Sequence, residues 1–309
     1  MKAHYEATEP SAALFFQHEE PEVIFSDGRW NEGPAYFPAW RSLIWSDIPN
    51  DCLLRFDEVT CTVSIWRSPS NNANGNAADR QGRLVTCEHG TRRVTRTEHD
   101  GTVKVLAERF GAGRLNSPND VVVKSDGSIW FSDPHYGINT DYFGNRATSE
   151  QEGAFVYRLE PDTGLLSPAI KTMVQPNGLA FTADERSLFV VDSGRTMGSE
   201  HPCHIRRFDV GTDGALTDRG VVVEASVGLF DGISLDDAGR IWAGAGDGVH
   251  CYAQDGRLLG KILVGSAVIN LCFGGPKRNV LYMCAPKTVL RVPLRVRGID
   301  PFAIVTGAT

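Results

Sequence analysis

Short apolar runs alternate with turn-forming residues along this chain, and they do so six times on one plan. A polar residue leads a short apolar stretch, a turn follows, and a second apolar stretch comes after it. The second stretches begin at Leu43 (LIWSD), Leu84 (LVTCE), Ile129 (IWFSD), Leu188 (LFVVD), Ile241 (IWAGA) and Leu281 (LYMCA). Successive starts lie 41, 45, 59, 53 and 40 residues apart. Short runs rich in branched and aromatic side chains, bounded by Gly, Asp and Ser, read as strands. The turns Asp79-Arg-Gln-Gly82, Ser125-Asp-Gly127 and Asp236-Asp-Ala-Gly239 supply residues that tolerate positive φ. Further hairpins follow, as at 157–170 and 252–263, so each unit amounts to about four strands. No stretch holds a 3.6-residue apolar period long enough for a helix of twelve residues.

A fixed long period is the signature of a repeat architecture. A sandwich or barrel does not explain six such units, whereas radial repetition does. The expectation is therefore an all-β, six-bladed β-propeller with four-stranded antiparallel blades. It occupies residues 22–309 as a single domain behind an N-terminal extension, 1–21. The segment EVIFS (22–26) reads as a strand ahead of the first unit, where it would complete the last blade. Ring closure by a terminal strand is thus expected, with FAIV (302–305) as the rival for that role.

Composition narrows the function classes. With 309 residues and 41% hydrophobic content, the chain can build a core without disulfides or a structural metal. Its 32 Gly and 16 Pro are spread throughout, as frequent turns require, and mark no linker. The net charge of -7 and the lack of a Lys/Arg run point away from nucleic acid. No apolar stretch reaches the roughly 18 residues of a membrane helix, and the first twenty residues lack the basic start and long apolar core of a signal peptide. A soluble, cytoplasmic protein, monomeric or weakly homo-oligomeric, is expected. The seven cysteines are odd in number and form no C-x-x-C pair. Cys52 and Cys61 could meet across a hairpin, but buried free thiols fit better.

Ten or eleven residues before each second stretch stand Glu32, Asn74, Asn119, Asn177, Asp231 and Asn270. Equivalent positions of a propeller point toward one axis, so these six side chains would ring the mouth of its channel. A single Asn-Gly, as at 74–75 or 177–178, is an ordinary turn signal. Six independent turns have no reason to share an offset. Oxygen-only donors select hard cations, and two carboxylates balance one divalent charge. Calcium is favoured, with manganese or zinc as alternatives, although no histidine leads a repeat. Spacing alone does not separate binders from bystanders among the six. Asp47, Asp133 and Asp192 recur at the ends of second stretches and read as turn caps. There is no G-x-S-x-G elbow and no P-loop, and GAGDG (244–248) has no helix behind it.

At these residues the chain resembles the SMP-30/gluconolactonase/LRE family, the regucalcin-like lactonases, and within it the bacterial gluconolactonases. The matching stretches are Glu32-Gly-Pro-Ala-Tyr-Phe-Pro, Arg80-Gln-Gly-Arg-Leu-Val-Thr-Cys-Glu-His-Gly90 and Asn116-Ser-Pro-Asn-Asp120 with Ser132-Asp-Pro-His-Tyr-Gly137, then Gln175-Pro-Asn-Gly178 and Asp231-Gly-Ile. The resemblance implies a six-bladed propeller that hydrolyses a small sugar lactone. It implies metal ligation by Glu32, Asn177 and Asp231, contact of Asn119 with metal or substrate, and an acid/base role for Asp231. One departure is Ser117, where animal members carry a sugar-holding arginine. Arg114, His89, His135 and Tyr136 are candidate substrate contacts. Organophosphate hydrolysis on the same metal, or sugar binding without catalysis, are the alternative functions.

Overall fold

The computed structural model describes residues 4–8, 15–16 and 19–303. Six antiparallel sheets follow one another along the chain. The first comprises Asn31–Phe37, Ser42–Asp47, Cys52–Asp57 and Thr62–Arg67; the second comprises Ala73–Ala78, Leu84–Glu88, Arg93–Thr97 and Val103–Ala107. The third holds Val121–Val123, Ile129–Asp133, Phe155–Glu160 and Leu165–Ile170. The fourth holds Pro176–Phe181, Ser187–Asp192, His204–Val210 and Leu216–Glu224. Ile233–Leu235, Ile241–Ala245, Gly248–Tyr252 and Leu258–Leu263 make the fifth, and Asn270–Gly274, Val280–Cys284 and Val289–Pro293 the sixth. All six expected second strands are present, within one residue of their expected starts.

These strands read as continuous apolar runs because both faces of each sheet are covered. Six buried clusters fill the six interfaces between neighbouring blades. Trp45 and Phe56 of the first blade, for example, pack with Tyr282 and Val289 of the sixth. Trp130 and Val156 of the third blade meet Leu188 and Phe208 of the fourth. The first strand of each blade packs against that of the next, and the sixth against the first. A propeller results, with the six inner strands around its axis.

Two parts of the expected architecture are corrected. Among the described residues no sheet is closed by hydrogen bonds, so the ring is not closed by a terminal strand. Glu22–Phe25 pairs with Val289–Pro293, but that ladder lies inside one open sheet and joins no two blades. The interface between sixth and first blades is closed by the apolar cluster instead. Nor are all sheets four-stranded: His4–Ala7 pairs with Leu258–Leu263 as a fifth strand. A separate small hairpin, Arg109–Phe110 with Gly113–Arg114, stands between the second and third blades. Of the FAIV rival, Phe302 and Ala303 belong to a turn and bend, and 304–305 lie outside the described residues. Arg80 holds this segment through the carbonyls of Pro301 (2.6 Å) and Ala303 (3.0 Å).

All seven cysteines are free; five are buried, while Cys272 is partly and Cys61 fully exposed. Among the described residues no helix is long and apolar enough to cross a membrane.

Candidate functional site

The side chains that head the repeats come together because each sits at or just before the start of an inner strand. Close approach of neighbouring inner strands there depends on glycine. A Cβ on Gly75 would lie 2.3 Å from the Asn119 carbonyl oxygen, and one on Gly178 would lie 2.5 Å from that of Asp231. Both glycine amides donate to those same carbonyls, at 2.7 and 3.1 Å. At these two heads the following glycine docks the next blade. Five of the six heads are buried, and Asp231 is partly exposed.

Two carboxyls anchor the ring electrostatically. Burial pushes Glu32 well above the usual carboxylate range, and the like charges of Asp231 and Asp120 push it further. Hydrogen bonds from Asn270 Nδ2 (2.9 Å) and the Gly33 amide (2.7 Å) oppose this. Burial raises Asp231 to about 7, with the Asn177 amide opposing and Asp120 adding to the shift. The charged neighbours of Glu32 are therefore of its own sign. Asp120, raised to about 7 by burial, is the member that repeat spacing misses. The signal was the break in pattern, since an aspartate follows Asn119 where glycine follows four of the other heads.

The carboxamides divide by what their atoms already do. Asn270 Nδ2 donates to Glu32 and lies close enough to Asp120 to favour its ion, and its Oδ1 accepts its own strand's Leu271 amide at 2.7 Å. Its nitrogen lies between two carboxyls, and its oxygen is turned toward its own strand. Asn177 Nδ2 donates to Ser193 Oγ (3.2 Å), which itself donates to the Phe230 carbonyl (2.6 Å). The Asn119 carboxamide has no hydrogen-bond partner among the described residues. Asn74 Nδ2 meets His89 Nε2 at 3.1 Å, while its buried Oδ1 has no partner.

Among the described residues no three His, Cys, Asp or Glu side chains are grouped to hold a metal. A cation here would rest on two carboxylates, carboxamide oxygens and water. That donor set fits a hard divalent ion. Glu32 and Asp231, whose charged neighbours are all negative, fit it as well.

The candidate substrate contacts fare unevenly. Tyr136 lies beside Ser193 and feels Asp231; burial raises its phenol, whose oxygen is 3.3 Å from Thr196 Oγ1. His135 is clasped by Gln175, through its backbone amide (3.0 Å) and its Nδ1 (2.9 Å), and burial lowers its pKa. His89 is fully buried, lowered to about 4 by desolvation, and its Nδ1 is 3.1 Å from the Phe143 carbonyl. Arg114 is not brought to the ring: its guanidinium donates to the Thr91 carbonyl at 2.7 Å and its amide to Glu150. Ser117 Oγ is spent within its own blade, donating to the Pro134 carbonyl and accepting from the Gly137 amide. Asp47 and Asp192 accept backbone amides just ahead of their blades' inner strands, and Asp133 does so from Asn116 at 2.8 Å. These three cap turns, as their recurrence suggested.

Residues 30–286 match the model of the SMP-30/gluconolactonase/LRE-like region. A gluconolactonase of Zymomonas mobilis subsp. mobilis is 30% identical over 302 residues, covering 90% of this chain and 82% of that protein. A pentonolactonase of Haloferax volcanii is 31% identical over 271 residues, covering 84% and 83%. The solved structure of a gluconolactonase from Xanthomonas campestris superposes with a TM-score of 0.88 at 35% identity, covering 94% of each chain.

Proposed function

The chain belongs to the SMP-30/gluconolactonase/LRE-like family, and from that premise we propose that it hydrolyses a sugar lactone with the help of a calcium ion. Homology to lactonases supports a lactonase-type hydrolase acting on a small lactone. The observation that supports calcium is the nearness of the Glu32 and Asp231 carboxyls, which feel each other's charge, with the Asn270 and Asn177 carboxamides acting on them. D-Glucono-1,5-lactone or a similar aldonolactone is the substrate we favour. The relatives act, by their names, on hexose and pentose lactones, and both share the ester that the site must open.

A divalent cation held by Glu32, Asn119, Asn177 and Asp231 would polarise the ester carbonyl as a Lewis acid. Asp231 serves as the general base. It takes a proton from water as the oxygen attacks the carbonyl carbon. It returns that proton to the ring oxygen as the carbon–oxygen bond opens, giving the hydroxy acid. Glu32, fixed by the Gly33 amide and Asn270, supplies balancing charge and does not move. We assign Tyr136 and His135, on the third-blade loop, to the hydroxyls of the sugar.

Asp231→Asn is expected to abolish hydrolysis of every lactone in a panel of gluconolactone, xylonolactone and galactonolactone while leaving the melting temperature within a few degrees. Chelation should do the same, and added calcium should restore activity. Turnover at the wild-type rate by Asp231→Asn, or by metal-stripped protein, would overturn the reading.

A further inference from the structure

We propose that Asn74, oriented by His89, supplies a further neutral oxygen to the cation held at the channel mouth. This rests on the proposed cation site and deepens it.

The orientation of Asn74 follows from its partner. The Phe143 carbonyl can only accept, so His89 Nδ1, 3.1 Å away, must carry the hydrogen. The ring is buried, and no carboxylate acts on it. A neutral imidazole with hydrogen on Nδ1 offers a lone pair at Nε2. The atom of Asn74 lying 3.1 Å from that lone pair is therefore the amide nitrogen. Its oxygen is turned the other way, is buried, and meets no donor.

The fourth blade does the same thing with different residues. There the residue after the second strand is Ser193, and it holds the nitrogen of the head residue Asn177. In the second blade the residue after the second strand is His89, and it holds the nitrogen of the head residue Asn74. In both, a buried side chain of the same blade takes the amide nitrogen. A purely structural Asn74 would not need this. Its main-chain carbonyl already accepts from Ser46 Oγ (2.6 Å) and Asn76 Nδ2 (3.0 Å), which accounts for the local turn without the side-chain oxygen. By contrast the Asn270 oxygen already accepts a hydrogen bond from the Leu271 amide.

Calcium binding to metal-stripped protein, followed by titration calorimetry without substrate, tests this. Asn74→Leu and His89→Leu should each weaken calcium about ten- to a hundredfold, the scale on which orienting partners of metal ligands act. His89→Gln should bind within about threefold of wild type. Its amide can donate to Phe143 and its oxygen can accept from Asn74, reproducing both contacts. Should Asn74→Leu not fold, Asn74→Ser, too short to reach the ring, makes the same comparison. Wild-type affinity in a folded Asn74 variant, or equal losses in His89→Gln and His89→Leu, would overturn the proposal. Because the readout is binding, a protein that takes calcium through Asn74 yet opens no lactone fails the catalytic reading alone.

Discussion

Asp133 shows how burial sets the chemistry of a single residue away from the ring. Its carboxyl is raised to about 7, mainly by desolvation, although backbone amides of Asn116 and Ser117 and the charge of Arg92 all favour the ion. The folded protein therefore keeps this proton up to about pH 7, whereas an unfolded chain releases it near pH 4. Between those values unfolding releases a proton, so this group makes stability fall as pH rises across the window. Asp133→Asn cannot ionise and still offers an oxygen to the Asn116 amide. In calorimetric scans of metal-free protein, its melting temperature should decline less between pH 4 and 7 than that of wild type. Equal slopes would mean that Asp133 is already ionised in the fold. Asp133 was legible as a cap from its recurrence at the end of a second strand, but not as a proton-holding acid, because burial is a tertiary property.

At the scale of elements, the informative feature is the longest spacing in the repeat. The 59-residue interval between the third and fourth second strands contains the segment 134–154, which carries His135, Tyr136 and Phe143. This segment is tied back to other blades. Phe143 packs edge-on against Trp30 at 5.1 Å, its carbonyl faces His89, and Asn145 donates to the Gly90 carbonyl. An edge-to-face aromatic pair contributes about 0.5–1.5 kcal/mol beyond its buried area. Phe143→Ala keeps the carbonyl and loses the ring. Trypsin should then cut after the exposed Arg146 several times faster, with little change in the melting temperature of the propeller. An unchanged cleavage rate would show that Trp30 does not hold the loop. The insertion could be located from spacing alone. Its landing place could not, because Trp30 and Phe143 are brought together by the ring.

For the molecule as a whole, the absence of hydrogen-bonded closure shifts the burden to six apolar interfaces. The two N-terminal strands then have unequal importance. His4–Ala7 is an added edge on a blade that already has four strands, while Glu22–Phe25 is the fourth strand of the sixth blade. Deleting residues 1–8 should lower the melting temperature by a few degrees and leave calcium affinity and lactone turnover unchanged. Deleting residues 1–26 bares the edge of Val289–Pro293 and the cluster around Trp45, which Ile24 and Phe25 flank, and soluble protein should be lost. Equal behaviour of the two truncations would show that the outer strand of the sixth blade is dispensable.

The repeat, the six-fold count, the second strands and the heads of the inner strands were readable in the sequence, because local pattern and turn chemistry dictate them. Pairing of Glu22–Phe25 with the last blade followed from the same periodicity, but the manner of closure did not. Whether blades are joined by hydrogen bonds or by packing depends on how sheets stack, and a linear pattern carries no record of that. The six-membered polar ring was likewise visible as a ring without its division of labour. Only the folded structure turns the oxygen of Asn270 into its own strand and aims the nitrogen of Asn74 at His89. It also brings Asp120 within reach of Glu32 and Asn270. Side-chain orientation and charge coupling are set by neighbours distant in sequence, so the chemistry of the site belongs to the tertiary structure while its address belongs to the sequence.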